Sequence, residues 1–576
     1  MTGWAGCFDE IWAVDFEFHC PPGERPQPIC LVAQEIYSGR IVRLWEDDLV
    51  QMKGSPFPAG DKSLFVAFYA SAEFGCYLAL GWAMPVWVLD LFVEFRCLTN
   101  GRVLPYGFSL LGAALHFGLP ETEAATKEDM RGLAIRGGPF SEEEKVDLLN
   151  YCEADVHITA ELFHKMVGLI DWSRALWRGR YMKAVARMEY FGVPIDTALL
   201  SLLKARWPDI QTNLIQEIDV DYGVYEGRTF KIDRFEAWLS KKGITWPRLP
   251  SGRLDLSDDT FREMARSHYR VAPLRELRSS LGQMRLNDLA VGADRRNRTL
   301  LSPFRSKTGR NQPSNSKFIF GPSTWLRSLI KPEPDHGLAY VDWCQQEFGI
   351  AAYLSGDPNM IKSYESGDPY LEFAKLTGGV TLDGTKESHP RERDLFKACI
   401  LGVQYGMGSK SLGFRIGMSP CYAEELIRMH RRVFSIFWIW SDNLLEFALI
   451  QMKIKTVFGW EYRITGKPNP RSIRNFPIQA NGAEMLRLAC VFITEMGIEL
   501  CAPVHDAVLI HFPLDKEQQI ISATQQAMSD ASAAVLGGYR LRPDVSLVRY
   551  PGRYQDDRGA KMWETVMRII TDRNVS

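Results

Sequence analysis

Asp15 and Glu17 lie two residues apart in IWAVDFEF, an apolar stretch that reads as a strand, so both side chains point to one face. Two carboxylates side by side on an apolar strand repel each other unless a cation sits between them. A DxE pair by itself also fits a solvated sheet edge. Further acids change its weight: Glu73 follows the apolar LFVAFYASA, and Asp155 lies four residues after Tyr151, which puts those two on one helix face. A second group of candidates lies in the C-terminal two-thirds. Asp342 stands at the end of the apolar strand GLAYVDW, with Gln346 and Glu347 shortly after it, and PVHDAVLIHF carries His505 and Asp506 at a tight turn. Arg393, Lys397, Leu401 and Tyr405 follow one another at i+4 steps in RERDLFKACILGVQYGMG. Each step drifts by about 40° on a helix, so the four form one slanting stripe. Phe396, Cys399, Ile400 and Val403 mark the core-facing side. A cationic stripe alone is a wet face; beside Tyr405-Gly406 and the flanking acids it becomes a candidate site.

The elements that must position these residues are legible in outline. The opening is β-rich, with ICLVAQEI, RIVRLWE, LFVAFYA and VWVLDLFVEF as further strand candidates. A helix is predicted from about Ser141, where Ser141 and Glu144 form a capping box. It carries Tyr151 and Asp155 and closes a mixed α/β domain near residue 170. Residues 174–300 read as mostly helical, interrupted by WPRLPSGRLDLS. A strand is predicted at 337–343, helices to about 450, a hairpin at VFGWEYRIT, and strand–turn–strand at CAPVHDAVLIHF. No fixed-period repeat or low-complexity tract is present.

The chain has 576 residues, 46% hydrophobic and 24% charged, values typical of a globular protein of three to four domains. They exclude a disordered tail, a collagen-like chain and a small disulfide scaffold. The longest uncharged apolar run, Phe74 to Leu89, is broken by Gly75, Gly81 and Pro85; it is short of the roughly 20 residues of a membrane span and reads as buried core. Eleven cysteines with no CxxC pair fit a reducing compartment and exclude a zinc ribbon. The start, MTGWAGCFDEIW, has no signal-peptide pattern, and the expected location is cytoplasmic. The net charge of −2 conceals an asymmetry. Residues 1–170 hold 12 basic and 24 acidic residues, whereas Arg262 to Arg310 holds 12 basic and 4 acidic. Such a basic stretch can hold a polyanion, although a solvated helix face gives the same count.

The order DxE, an acid after a second strand, then YxxxD resembles the 3′→5′ proofreading exonucleases of the DnaQ-like, RNase H-like fold. The resemblance implies two divalent ions held by Asp15, Glu17, Glu73 and Asp155, with Tyr151 orienting the attacking water. Hard oxygen ligands suit Mg²⁺ or Mn²⁺. The second motif departs from the family, with Tyr69 and Glu73 where Asn and Asp are usual; Asp90 reads as structural.

Asp342, the Arg393–Tyr405 stripe and Asp506 look like motifs A, B and C of the family A DNA polymerases, the Klenow-fragment-like group. RSIRNFPIQANGAE, MEYFGVPID, SKTGRNQPS and WLRSLIKP add to the resemblance, which runs from about residue 10 to the end. It implies an α/β multidomain protein, an RNase H-like exonuclease domain followed by a right-hand polymerase. The expected boundaries are exonuclease 1–170, thumb 171–300, palm 301–350, fingers 351–463 and palm again 464–576. The implied activity is template-directed DNA synthesis from dNTPs with proofreading. Two Mg²⁺ per site, or Mn²⁺, would be held by Asp342, Asp506 and the Trp343 carbonyl. Arg393 and Lys397 would bind the triphosphate, Glu347 would exclude a ribose 2′-hydroxyl, and Tyr405 would stack at the insertion site. Gln346, Leu401 and Tyr370 are further nucleotide-site residues. Arg310, Arg471, Asn475, Gln479 and His505 would meet primer–template DNA.

Leu401 stands where Phe or Tyr is usual, Ala507 where Glu is usual, and Tyr370 where His is usual; Cys344 and Gly349 replace Ser and Arg. Leu401 brings an expected discrimination against dideoxynucleotides, and the set leaves room for a modified-base nucleotide. The first motif already lies at Asp15, so no 5′-nuclease domain is expected ahead of it, and no thumb insertion for a processivity clamp is evident. This compactness resembles phage replicative enzymes. A monomer is expected, with no membrane association; helicase, primase or single-strand-binding partners are not identifiable. The alternatives are the same polymerase with an inactive nuclease module, a single-subunit RNA polymerase, a DNA-binding scaffold and a nuclease alone. Glu347 and the DxE domain argue against the RNA polymerase. The retained acids and cations argue against the scaffold, and two-thirds of the chain argue against the nuclease alone.

Overall fold

The computed structural model of the chain describes residues 4–120, 124–282, 286–321 and 323–572. Residues 1–3 of the stretch read for a leader, and Arg285 of the basic stretch, lie outside the described residues.

The first sheet consists of β1 (Glu10–His19), β2 (Gln27–Glu35), β3 (Ile41–Trp45), β4 (Ser63–Ala67) and β5 (Trp87–Asp90), in the order β3-β2-β1-β4-β5. β1 pairs antiparallel with β2 and parallel with β4. This central position explains why Ile11 to Val14 are apolar without alternation: all four are buried, as a strand covered on both faces requires. The apolar run from Phe74 resolves into α1 (Ser71–Leu80), a left-handed turn at Gly81 and β5. VWVLDLFVEF is a strand only in its first half. Asp90 ends β5, and its Oδ1 accepts the Val93 N–H at 3.1 Å, starting α2 (Leu91–Thr99); the cap overrides the strand-like composition. The predicted capping box opens α3 (Glu142–Met166): Ser141 Oγ accepts the Glu144 N–H at 3.2 Å, and Glu144 Oε2 accepts the Ser141 N–H at 2.8 Å.

α4 (Trp172–Phe191) joins the two halves of the molecule. One side packs on α1 and β5, where Gly179 is required because a Cβ would lie 2.0 Å from the Val88 carbonyl oxygen. Arg178 Nε and Nη2 bind both oxygens of Glu94 at 2.6 and 2.7 Å, a buried bidentate pair that locks α4 to α2. Helices Thr197–Asp219, Ile232–Lys242, Asp258–Ser267 and Ala272–Gly282 then bury Leu203, Trp207, Phe235 and Leu274 in an apolar core shared with residues further along the chain, among them Leu338, Val504 and Leu509.

The second sheet contains β6 (His336–Trp343), β7 (Glu499–Val504), β8 (Ala507–Pro513) and β9 (Pro543–Arg549), in the order β7-β8-β6-β9 with antiparallel neighbours. Between β6 and β7 lie, among others, α5 (Gln346–Ser355), α6 (Pro369–Leu376), α7 (Pro390–Gln404) and α8 (Pro470–Glu495), and α9 (Glu517–Val535) follows β8. A hairpin forms here, but its first strand, Lys453–Lys455, lies ahead of VFGWEYRIT, which supplies the turn and the second strand, Glu461–Arg463. Along β6, Ala339, Val341 and Trp343 join the core containing α8 and α9 residues, while Leu338 and Tyr340 join the other core. By alternation Asp342 shares the face of Leu338 and Tyr340. α4 and α8 both pack on β7. Among the described residues no single helix is long and apolar enough to cross a membrane.

Candidate active site

Register brings Asp342 and Asp506 together. Asp342 pairs with Ala507 across β6 and β8, and Val504 pairs with Ala507 across the two-residue turn His505-Asp506. His505, exposed at the tip, takes a φ of 58°, in keeping with the positive φ that such hairpin turns require. The turn sets Asp506 against the end of β6, where the Trp343 N–H faces the Asp506 carbonyl at 3.5 Å. The Trp343 indole is buried below, donating to the Met528 carbonyl at 3.2 Å, which anchors the main chain at this point. Burial, then the charges of Asp506 and Asp544, push the Asp342 carboxyl up to about 6. Asp506 is also raised by burial, with Arg310 acting in the opposite direction. Half-buried like charges with hard oxygen donors are the set a divalent cation stabilises, so these residues fit Mg²⁺ or Mn²⁺.

Four segments distant in sequence meet beside the acids. Arg310 Nη2 lies 3.6 Å from Glu347 Oε1 in the first turn of α5, and Gln479 Nε2 of α8 donates to the Tyr405 hydroxyl at 3.4 Å. Burial and then the Glu347 charge raise the Tyr405 phenol. The Arg471 stem lies against Gly406, where a Cβ would be 3.1 Å from its Cγ. Asn475, half-buried, lies between Arg471 and Gln479 on the same helix. Gln346 differs: it is 2% exposed, and a Cβ on Gly482 of α8 would lie 2.8 Å from its Oε1. The side chain is held in the α5–α8 contact. Gly349 is similarly confined, since a Cβ would lie 2.6 Å from Leu541 Cδ2.

The α7 stripe faces the same region, with Phe396, Cys399, Ile400 and Val403 buried behind it. The Tyr370 ring links its cations to the acids: Arg393 and Lys397 stand 5.7 and 5.9 Å from its centroid. Burial pushes the phenol up to about 12, opposed by Arg393, with Asp368, Glu347 and Asp506 adding to the rise. Leu401 is half-buried on the stripe, and Tyr405 lies one residue past α7 as its C-cap, on the turn leading away. Two acids were not singled out from the sequence. Asp368, the N-cap of α6, forms an ion pair with Arg393. Asp544 pairs directly with Asp342 across β6 and β9. The alternating pattern of PDVSLV identifies a strand, but only its pairing places that acid.

The N-terminal acids also converge. Asp15 and Glu17 are half-buried on β1. Glu73, 3% exposed in the first turn of α1, accepts the N–H of the intervening Phe16 at 2.8 Å through Oε2. Burial, then Asp15 and, more weakly, Glu17 hold its carboxyl well above the usual range. α3 crosses this face, with Cys152 Sγ 3.3 Å from Asp15 Oδ2. Burial and the charges of Asp155, Glu17 and Asp15, in that order, raise the Tyr151 phenol. The longer Glu73 side chain therefore still reaches the group, and its donors fit divalent cations. Asp90 is structural, as expected: it accepts the N–H groups of Tyr69 at 3.2 Å and Ala70 at 2.7 Å in addition to capping α2, holding Tyr69 at a φ of 85°.

Residues 315–547 match the family described as DNA polymerase family A. DNA polymerase I of Aquifex aeolicus is 24% identical over 439 residues, 67% of this chain and 73% of that protein. DNA polymerase I of Chloroflexus aurantiacus is 23% identical over 448 residues, 71% of this chain and 47% of that protein. The thermostable DNA polymerase I of Thermus thermophilus is 27% identical over 221 residues, 36% of this chain and 26% of that protein. The chain thus spans about half and about a quarter of the latter two. A solved structure described as the POL domain of Pol1 from M. smegmatis, in complex with DNA primer-template and dNTP, matches with a TM-score of 0.72 at 16% identity, covering 96% of each chain. That likeness concerns the fold, and it extends through the N-terminal sheet. Asp342, Asp506, Arg393 and Lys397 all lie within residues 315–547, the segment that matches DNA polymerase family A, in a chain with distant homology to bacterial DNA polymerase I.

Proposed function

We propose that the chain extends a primer on a DNA template with dNTPs, and that its N-terminal module hydrolyses 3′ ends in the 3′→5′ direction. The observation that carries the first part is the convergence of Asp342 and Asp506 with Arg393, Lys397 and Tyr370 inside the family A segment. In this reading residues 1–170 are the nuclease, 171–300 the thumb, 301–350 with 464–576 the palm, and 351–463 the fingers.

Asp342, Asp506 and the Trp343 carbonyl would hold two Mg²⁺. Bound there, the ions supply a lowered pKa for the primer 3′-hydroxyl and charge neutralisation at the triphosphate. Lys397 meets the triphosphate oxygens as a point charge and Arg393 as a fork, with Asp368 keeping the guanidinium oriented in the absence of nucleotide. Tyr370 supports both cations. Glu347 blocks a 2′-hydroxyl, Tyr405 stacks at the insertion site, and Leu401 lines the approach between them. Arg310, Arg471, Asn475, Gln479 and His505 contact the primer–template, where minor-groove acceptors present on every base pair allow shape to be tested without reading sequence. In the N-terminal module Asp15, Glu17, Glu73 and Asp155 would hold the cations and Tyr151 would orient water. The carboxylate–phenol convergence around Glu73 supports that part.

The deciding assay uses the full chain with an end-labelled primer on a longer template. Mg²⁺ and dNTPs give stepwise extension, omission of dNTPs gives 3′ shortening, and EDTA abolishes both. A chain that binds the duplex without extending it in Mg²⁺ or Mn²⁺ would overturn the polymerase reading. Glu347→Ala is expected to raise ribonucleotide incorporation relative to dNTP by about tenfold or more, since 1.36 kcal/mol of lost discrimination is tenfold. An unchanged rNTP-to-dNTP ratio in single-nucleotide addition would remove Glu347 from the sugar contact.

A further inference from the structure

The palm sheet carries a row of three residues on one face. β8, β6 and β9 lie side by side, and Asp342 is the register partner of Ala507 on one flank and of Asp544 on the other. Directly paired residues in antiparallel strands project to the same face, with Cβ atoms about 4.5–5.5 Å apart. Packing confirms the parity along β9: Val548, the partner of Leu338, packs on the core that holds Leu338, while Val545 and Leu547 pack on the opposite core. Asp544 therefore projects beside Asp342, and the methyl of Ala507 occupies the equivalent place on the other flank. Like charges directly opposite one another destabilise a sheet. Among the described residues no Lys or Arg forms an ion pair with Asp544, one oxygen of which accepts the Val545 N–H at 2.9 Å. The neighbouring cation, Arg542, is turned away, with Nη2 donating to the Tyr364 carbonyl at 2.7 Å.

We propose that Asp544 is a third carboxylate of the palm cation site, a positioning residue that binds the hydration shell of the ion held by Asp342 and Asp506. The inference rests on the polymerase reading of that site and adds a residue on a strand outside its sequence motifs. Mg²⁺ retains several waters in such sites, and an exposed carboxylate one strand away is placed to accept hydrogen bonds from them. The chain thus carries its extra acid on β9 at a site where the β8 flank offers only a methyl group.

The test uses the full chain and two readouts. One is the half-saturating Mg²⁺ concentration for single-nucleotide addition. The other is Mn²⁺ binding, measured from the free-ion electron paramagnetic resonance signal on a complex with dideoxy-terminated primer–template and dNTP. Loss of an outer-shell partner typically costs 10–100-fold in metal affinity. Asp544→Asn should accordingly raise the Mg²⁺ midpoint and the palm-site Mn²⁺ dissociation constant by about tenfold, the palm site being the one lost on Asp506→Ala. Because Asp544 is exposed on an edge strand, the melting temperature should not move. Asp544→Glu should retain affinity, and Ala507→Glu added to Asp544→Asn should restore it from the opposite flank. Unchanged Mn²⁺ affinity and Mg²⁺ midpoint in Asp544→Asn would overturn the proposal. Mn²⁺ binding that depends on Asp544 in a chain unable to extend a primer would uphold it while overturning the polymerase reading.

Discussion

Asp506→Ala is expected to lower primer extension by about a thousandfold or more while trimming of a single-stranded 3′ end continues. Its position explains the size of the effect. Asp506 occupies a two-residue turn whose neighbours, Val504 and Ala507, are locked by strand pairing, so no adjacent carboxylate can take its place. Asp342 would remain without its ligand partner on the turn, and the primer hydroxyl would be neither activated nor aligned. Losing one ligand of a two-metal centre costs several kcal/mol of transition-state stabilisation, and each 1.36 kcal/mol is about tenfold in rate. The variant should still fold, because removing Asp506 takes away a like charge that disfavours the ionised Asp342 carboxylate. Single-turnover extension and trimming measured on one preparation decide the matter. Extension within tenfold of the unmodified protein would mean that the synthetic site lies elsewhere.

Asp15→Ala should do the reverse, abolishing 3′ trimming and sparing synthesis. Asp15 lies beside the buried Glu73, and its charge is the largest Coulombic cause of the rise in the Glu73 carboxyl. Its loss leaves the group one donor short, with an expected drop in hydrolysis of about a hundredfold or more. The N-terminal sheet and the sheet of β6 to β9 are separate and joined by α4, so the register around Asp342 is unaffected and extension should remain within about twofold. The measurement is shortening of a labelled single strand in Mg²⁺ and in Mn²⁺, alongside primer extension. If the unmodified chain shows metal-dependent shortening and Asp15→Ala shortens at the same rate, the trimming activity does not arise from this group. If the unmodified chain shows no shortening in either metal, the module holds the geometry of a nuclease without its activity.

Features that depend on near neighbours are legible in the sequence. The DxE pair shares a face because strand alternation is local; the Ser141–Glu144 box and the α7 stripe follow from helical periodicity; the His505-Asp506 turn is specified by two apolar runs meeting at two residues. These features give the candidate acids and cations and their distribution along the chain. VWVLDLFVEF shows the limit even at short range, since the composition is strand-like throughout while a capping hydrogen bond from Asp90 turns its second half into a helix. Tertiary structure decided which distant groups meet. Glu73 is positioned by a hydrogen bond to the Phe16 backbone, Gln346 is drawn into the contact with Gly482, and Arg393 is held by Asp368 while sharing the Tyr370 ring with Lys397. Asp544 is the clearest case. Nothing within several residues distinguishes it from any other acid at a strand start, and a slip of one residue in the β6–β9 pairing would turn it to the opposite face. Register is fixed by the burial of both sheet faces against helices from other parts of the chain, so the third acid beside Asp342 follows from packing and not from local sequence.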